Sequence, residues 1–313
     1  MFDLTRDELD TFAKETGFLK NSLEKMFRLL NILSILKTNP VTKDAFVLKG
    51  GTAINLFILD FPRISVDIDL NYIQSISRSS MLKDRRTINS EIQKIFHFTY
   101  EINISKDAHA LTQFEFRYET ISGSSDMLKL EINYLKRLPL LAPHIVSFNR
   151  LDLNIDFLCL DFQEILASKT IALLNRYTPR DLFDVYQMIN SPFEIKKDLL
   201  KMLLFFYGIV TETEIFELFK LKFDLISQPD IQKKLYPMLR KKTHLDRDEI
   251  VANIENFLNL YLSLSDKEAD ALRNLYKTGK IDIDILFPQK EIQEKALNSP
   301  SLKWKIKNII KSR

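Results

Sequence analysis

Ala45-Phe46-Val47-Leu48-Lys49-Gly50-Gly51-Thr52-Ala53-Ile54-Asn55-Leu56-Phe57, followed shortly by Arg63-Ile64-Ser65-Val66-Asp67-Ile68-Asp69-Leu70, is the stretch that decides the fold. Ala45 to Leu48 is a short apolar run, read as a buried strand, and it leads straight into two glycines. Thr52 to Leu59 turns helical, so the predicted unit is strand, glycine turn, helix. After Pro62, Val66 to Leu70 alternates strictly: Val66, Ile68 and Leu70 bury, while Asp67 and Asp69 project together from the other face.

Two carboxylates on one strand face repel, which raises one pKa unless a cation sits between them, so the pair fits a magnesium site. In isolation a solvated strand face is the better explanation, because alternating acidic strands are common. Gly50-Gly51-Thr52, between strand and helix, offers backbone N–H groups and a helix dipole to phosphate oxygens, and the glycines permit close approach. An ordinary turn is the plainer alternative, but the two signals reinforce each other. Ile281-Asp282-Ile283-Asp284-Ile285 repeats the acidic alternation without such a turn upstream, and is expected to be a surface or helix-start segment.

Outward from this stretch, apolar positions from Leu19 to Leu33 predict a helical preface that Asn39-Pro40 ends. Leu128 to Tyr134 alternates as a strand with one buried face, which turns Glu131 the other way, as a third carboxylate for the metal or as a solvent-facing residue. From Asp161 the pattern is helical, with capping boxes expected at Asp161–Glu164, Thr178–Asp181 and Ser265–Glu268. Helical spacing turns Lys169 inward with Ile165, Leu166 and Leu173, as a snorkelling amine or a functional one. The capping box accounts for Asp181 without chemistry. These readings predict an α+β chain: residues 1–155 as a small mixed sheet with flanking helices, and residues 156–313 as a mostly helical domain.

Composition sets limits. A chain of 313 residues exceeds one small core, and 45% hydrophobic with 28% charged residues is ordinary for a folded protein. Cys159 alone forms no intramolecular disulfide, and the four histidines lack zinc-ligand spacing. The apolar run Met202 to Val210 is too short to span a membrane and predicts a core helix, and Met1 to Glu8 lacks the look of a signal peptide, so a cytoplasmic location is expected. A net charge of +3 decides nothing about partners. Basic clusters at Lys233-Lys234, at Arg240-Lys241-Lys242 and from Lys303 to Arg313 around Trp304 are read as solvated helix faces in preference to tracks for an RNA backbone.

Lys49 to Phe57 and Arg63 to Leu70 together resemble the AbiEii/AbiGii toxin family of nucleotidyltransferases. The resemblance continues through Glu164-Ile165-Leu166-Ala167-Ser168-Lys169, Ala172-Leu173, Arg176 and Pro179-Arg180-Asp181-Leu182-Phe183-Asp184, covering roughly residues 20–190. It implies a DNA-polymerase-beta-like nucleotidyltransferase fold, with magnesium, or manganese in its place, at Asp67 and Asp69 and with Glu131 as the candidate third ligand. Nucleotide contacts would come from Gly50, Gly51, Thr52, Arg63, Ser65 and Lys169. Asp67, Asp69, Glu131, Lys169 and Asp184 would form the catalytic set, with the helical domain contributing Lys169 and Asp184. The implied reaction moves NMP from a nucleoside triphosphate to a hydroxyl, with tRNA as the preferred acceptor, in a toxin of a toxin–antitoxin or phage-defence module with an antitoxin encoded nearby. A protein or small-molecule acceptor, or a decayed nucleotide- or RNA-binding module, are the rival readings.

Overall fold

The computed structural model of the protein describes residues 4–311. They form two compact units. The first comprises residues 1–137, 143–160 and 232–244, of which 1–3 lie outside the described residues. The second comprises residues 138–142, 161–231 and 245–313, of which 312–313 lie outside.

In the first unit, helices α1 (Arg6–Thr16) and α2 (Lys20–Thr38) precede β1 (Phe46–Lys49). Thr5 and Glu8 close a capping box on α1, which ends at Gly17 in the left-handed region, and nearly every apolar residue of α2 is buried. After β1 come the short helix α3 (Gly50–Thr52), a π-helical turn (Ala53–Ile58), β2 (Asp67–Tyr72) and α4 (Arg78–Phe96). Five further strands follow: β3 (Glu101–Ala108), β4 (Leu111–Glu119), β5 (Ser125–Asn133), β6 (His144–Arg150) and β7 (Leu153–Cys159). The predicted strand, glycine turn and helix are therefore present, the helix being wound as a π turn.

The seven strands form one mixed sheet in the order β3-β4-β5-β2-β1-β7-β6. β2 runs antiparallel to β1 and parallel to β5, and β1 touches β7 through the parallel pair Leu48 and Cys159. Directly paired residues share a face, so the register sorts the side chains. Leu48, Ile68, Leu70, Leu130, Ile132, Phe114 and Phe116 lie on one face and are fully buried. α4 covers that face, where Tyr72 donates to Asp84 at 2.5 Å and the Phe96 and Phe116 rings meet edge-on at 5.4 Å. Asp67, Asp69, Lys49, Lys129 and Glu131 occupy the other face at the centre of the sheet. Burial pushes the thiol of Cys159 up to about 12, which makes it a packing residue.

The second unit is helical. Its main elements are α5 (Phe162–Arg176), α6 (Pro179–Ile189), α7 (Lys197–Ile209), α8 (Ile215–Leu218), α10 (Arg247–Tyr261), α11 (Asp266–Thr278), α12 (Ile283–Leu286), α13 (Lys290–Asn298) and α14 (Pro300–Lys311); a further short helix, α9, covers Gln228–Lys234. α7 contains the apolar run read as a core helix and is buried from Met202 to Ile209. Among the described residues no helix is long and apolar enough to cross a membrane.

Two of the three expected capping boxes need correction. Ser265 and Glu268 form theirs, but at α5 only Asp161 caps, accepting from Gln163 N–H at 2.8 Å. Glu164 turns inward, accepting from Leu140 and Leu141 N–H at 3.0 and 2.9 Å and from the Tyr207 hydroxyl at 2.6 Å. Burial raises its pKa against the pull of those donors. At α6 Thr178 caps, while the Asp181 carboxylate is drawn into an ion cluster described below. Asp282 caps α12, so the second Asp-x-Asp is a helix start, as its missing glycine turn implied.

Candidate active site

The site of the first unit is built where β1 ends. Gly50 adopts φ +71°, a left-handed conformation that costs other residues about 1–2 kcal/mol, and the space its Cβ would need is filled by the Asp69 carboxylate. At Gly51 a Cβ would stand 2.7 Å from Arg63 Nη2 and 3.1 Å from Ser65 Oγ. Both glycines are thus required by the side chains of the following loop and strand, which press against the turn. Thr52 Oγ1 donates to the Asp67 carbonyl at 2.5 Å and lies 2.9 Å from Ser65 Oγ, while Asn55 Nδ2 bonds the Gly51 carbonyl at 2.9 Å. The turn and the acidic strand are one constellation, holding Gly50, Gly51, Thr52, Arg63, Ser65, Asp67 and Asp69 together.

The loop from Asp60 to Ser65 is over-determined. Phe61 has φ +53°, unfavourable for an aromatic residue, and is held by ring contacts to Phe18 (4.8 Å) and Phe148 (6.0 Å). Arg63 is buried and bonds the Ile64 carbonyl at 2.8 Å. Ile64 N–H donates to the Met238 carbonyl at 2.9 Å, and Arg240 reaches the Phe61 carbonyl at 3.3 Å. Sequence reasoning missed this support, because residues 232–244 read as part of the helical half.

On the strands, Asp69 pairs with Glu131 of β5 on one side and with Lys49 of β1 on the other. Lys49 Nζ stands 3.9 Å from Asp69 Oδ1, with the two side chains 21% and 31% exposed. Asp67 faces Lys129 across the ladder. Lys49 was not among the expected site residues; its place at the end of a strand, directly before the glycines, was the available signal. Asn71, next on the same face, has a buried Oδ1 with no hydrogen-bond partner. The acidic face offers only hard oxygen donors, which suits a magnesium-type cation. Among the described residues no group of three or more His, Cys, Asp or Glu side chains is placed to hold a metal ion. The donor set therefore suits a cation shared between one or two carboxylates and substrate phosphates, the usual magnesium arrangement.

The second unit carries the other expected residues as a cluster of its own. Lys169 is buried, with Nζ 3.0 Å from both Asp181 Oδ1 and Asp184 Oδ2. Arg176 grips Asp181 through Nε at 2.5 Å and Nη2 at 2.9 Å, and Thr178 Oγ1 adds a bond at 2.7 Å. Burial alone would raise the pKa of Asp181, but Lys169, Arg176 and Thr178 outweigh it and hold the carboxyl well below its usual range. The helical spacing that turned Lys169 inward required a partner, and α6 supplies two. Asp181 is more than the capping residue expected, since it shares Lys169 with Asp184.

The fold has counterparts among solved structures. MenT4, a nucleotidyltransferase toxin from Mycobacterium tuberculosis H37Rv, superposes with a TM-score of 0.66 over 94% of this chain and 99% of its own, at 14% identity. A putative nucleotidyltransferase from Helicobacter pylori gives 0.53 over 78% and 96%, at 18% identity. JHP933 from Helicobacter pylori gives 0.50 over 82% and 99%, at 20% identity. At these identities the likeness concerns the fold. No curated protein matches the sequence. The profile of the nucleotidyl transferase AbiEii toxins of type IV toxin–antitoxin systems matches residues 34–253, which span the glycine turn, the acidic strand and the Lys169 cluster. The chain belongs to that family of nucleotidyltransferase toxins.

Proposed function

We propose that this enzyme transfers a nucleotidyl group from a nucleoside triphosphate to a hydroxyl of RNA, with tRNA as the preferred acceptor, and that the transfer depends on a divalent cation at Asp67 and Asp69. The observation that carries this reading is the packing of the Asp69 carboxylate into the space above Gly50. It sets a carboxylate oxygen, the donor type magnesium prefers, beside backbone suited to cradle phosphates. In the transfer, the acceptor oxygen bonds to the α-phosphorus, the bond from that phosphorus to the oxygen bridging to the β-phosphate breaks, pyrophosphate leaves with that oxygen, and the hydroxyl proton passes to solvent water. Magnesium held by these carboxylates would supply charge stabilisation to the transferring phosphoryl group. Gly50, Gly51 and Thr52 would hold phosphate oxygens, and Arg63 and Ser65 would fix the loop behind them. Asp67 and Asp69 would ligate the cation, with Glu131 beside Asp69 on the same face. On the family resemblance, Lys169 and Asp184 are assigned to the reaction as well.

Modified tRNA would block translation in the cytoplasm, the kind of arrest on which phage defence relies, with an antitoxin encoded nearby to relieve it. The test incubates the protein with magnesium, each labelled triphosphate in turn and total tRNA, beside an Asp67→Ala/Asp69→Ala variant. Label is expected on RNA with the unmodified chain, reduced by roughly a thousandfold or more in the variant, since the cation contributes several kcal/mol. Label appearing only on protein or a small molecule would overturn the RNA acceptor, and equal labelling by the variant would overturn the metal site.

A further inference from the structure

α14 is a helix without a single acidic residue. Its inner side is packed: Ser301 and Leu302 are buried, and so is Lys305, whose ammonium donates to the Thr211 carbonyl at 2.7 Å. The side turned outward carries Lys303, Trp304, Lys307, Ile310 and Lys311, all exposed. Lysines at positions i, i+4 and i+8 recur about every 6 Å along the axis, a ladder of cations on one face. None of the three makes a salt bridge among the described residues; Lys303 reaches only Asn298 Oδ1, at 3.4 Å. Trp304, the one tryptophan of the chain, is 40% exposed in the first half of this ladder. At the far end Ile310 lies against the turn at Gly279, which exposed Lys277 and Lys280 flank.

We propose that the outward face of α14 is a docking surface for single-stranded RNA, with Lys303, Lys307 and Lys311 on successive phosphates and Trp304 stacked on a base. The proposal rests on the RNA-acceptor reading above and names the surface on which that RNA is held. Charge complementarity selects a polyanion, and an exposed indole beside the cations selects one whose bases are open to stacking. Bases inside a duplex offer no such face. A membrane-surface helix would have to lay its apolar side in lipid, and the apolar side of α14 is already packed against protein.

Trp304 is its own reporter. Titrating the full chain with a single-stranded RNA of about a dozen nucleotides should quench its emission saturably, with log K falling against log salt at a slope of about −2, the value for three phosphate contacts on a single strand. Lys303→Gln/Lys307→Gln/Lys311→Gln should weaken binding at least about tenfold and flatten that slope. Followed by anisotropy of labelled RNA, Trp304→Ala should weaken binding about fivefold or more, while Trp304→Phe retains most of it. Unchanged thermal unfolding verifies that these exposed substitutions leave the fold intact. A silent Trp304, a triple variant that binds with wild-type affinity and slope, or a response to anionic lipid vesicles but not to RNA would each overturn the proposal. RNA that becomes labelled by transfer while Trp304 stays silent removes the docking surface and leaves the acceptor reading standing. RNA that quenches Trp304 but is never labelled supports the surface and removes the acceptor.

Discussion

Asp67 and Asp69 stand on a strand, part-exposed, with Lys49 Nζ 3.9 Å from Asp69, whereas Asp181 and Asp184 stand on a helix, buried, with Lys169 held 3.0 Å from each. The formal charges of Lys169 and Arg176 offset those of Asp181 and Asp184 within the helical cluster. The strand cluster leaves its carboxylates part-exposed beside a glycine turn, where the proposal puts a cation and phosphates. An open acidic pair tolerates loss of a member in the resting protein. A buried one is less forgiving, because a charge held away from water loses one of its partners.

The largest effect expected from that contrast is on stability. Asp184→Ala should cost about 2–3 kcal/mol in chemical denaturation, since Lys169 loses one charge-assisted bond and is left sharing Asp181 with Arg176. Asp69→Ala should change stability by no more than about 1 kcal/mol, because it relieves repulsion on a part-exposed face. Equal losses in the two variants would erase the distinction between the clusters. Lys169→Met combined with Asp184→Leu should recover much of the stability, though not the transfer.

A smaller effect sharpens the strand side. Gly50→Ala should cost about 1–2 kcal/mol of stability from the left-handed backbone alone, and should also displace Asp69, whose carboxylate fills the space of the new methyl. Transfer rate should therefore fall further than the change in melting temperature implies; proportional losses would separate the glycine from the acidic pair.

The gentlest comparison is by pH. The pKa of Asp181 is depressed in the folded protein, so its stabilisation is fully present above the ordinary value of 3.8 and is lost as pH falls below it towards the folded value. Glu164 has the opposite sign: its raised pKa makes stability increase as pH falls from the folded value towards the ordinary 4.5. Unfolding midpoints measured across acid pH should show this gain above about 4.5 and a loss below about 4, and Glu164→Gln should abolish the first limb only.

Much of this was legible in the residues. Strict alternation identified β2 and β5 and put Asp67 and Asp69 on one face, because a strand with one buried side has no other way to satisfy that pattern. Helical spacing turned Lys169 inward, and a buried ammonium implies a buried anion. The role of Glu164 was hidden because its partners, Leu140 and Leu141, are backbone groups of a loop far away in sequence. The π turn after Thr52 was equally hidden, since apolar spacing over six residues does not separate it from an α-helix. Contacts from residues 232–244 to the loop before Asp67 depend on long-range closure, which no local pattern encodes.

That late-arriving segment bears on synthesis. The loop carrying Arg63 and Ser65 emerges from the ribosome early, but the Met238 carbonyl that anchors Ile64 and the Arg240 side chain that reaches Phe61 come more than 170 residues later. At about 5–20 residues per second, roughly ten to thirty seconds separate the two. During that interval a nascent chain of this toxin holds its aspartates without the support that fixes the loop beside them. A message cut short before codon 238 would yield a fragment that never acquires it.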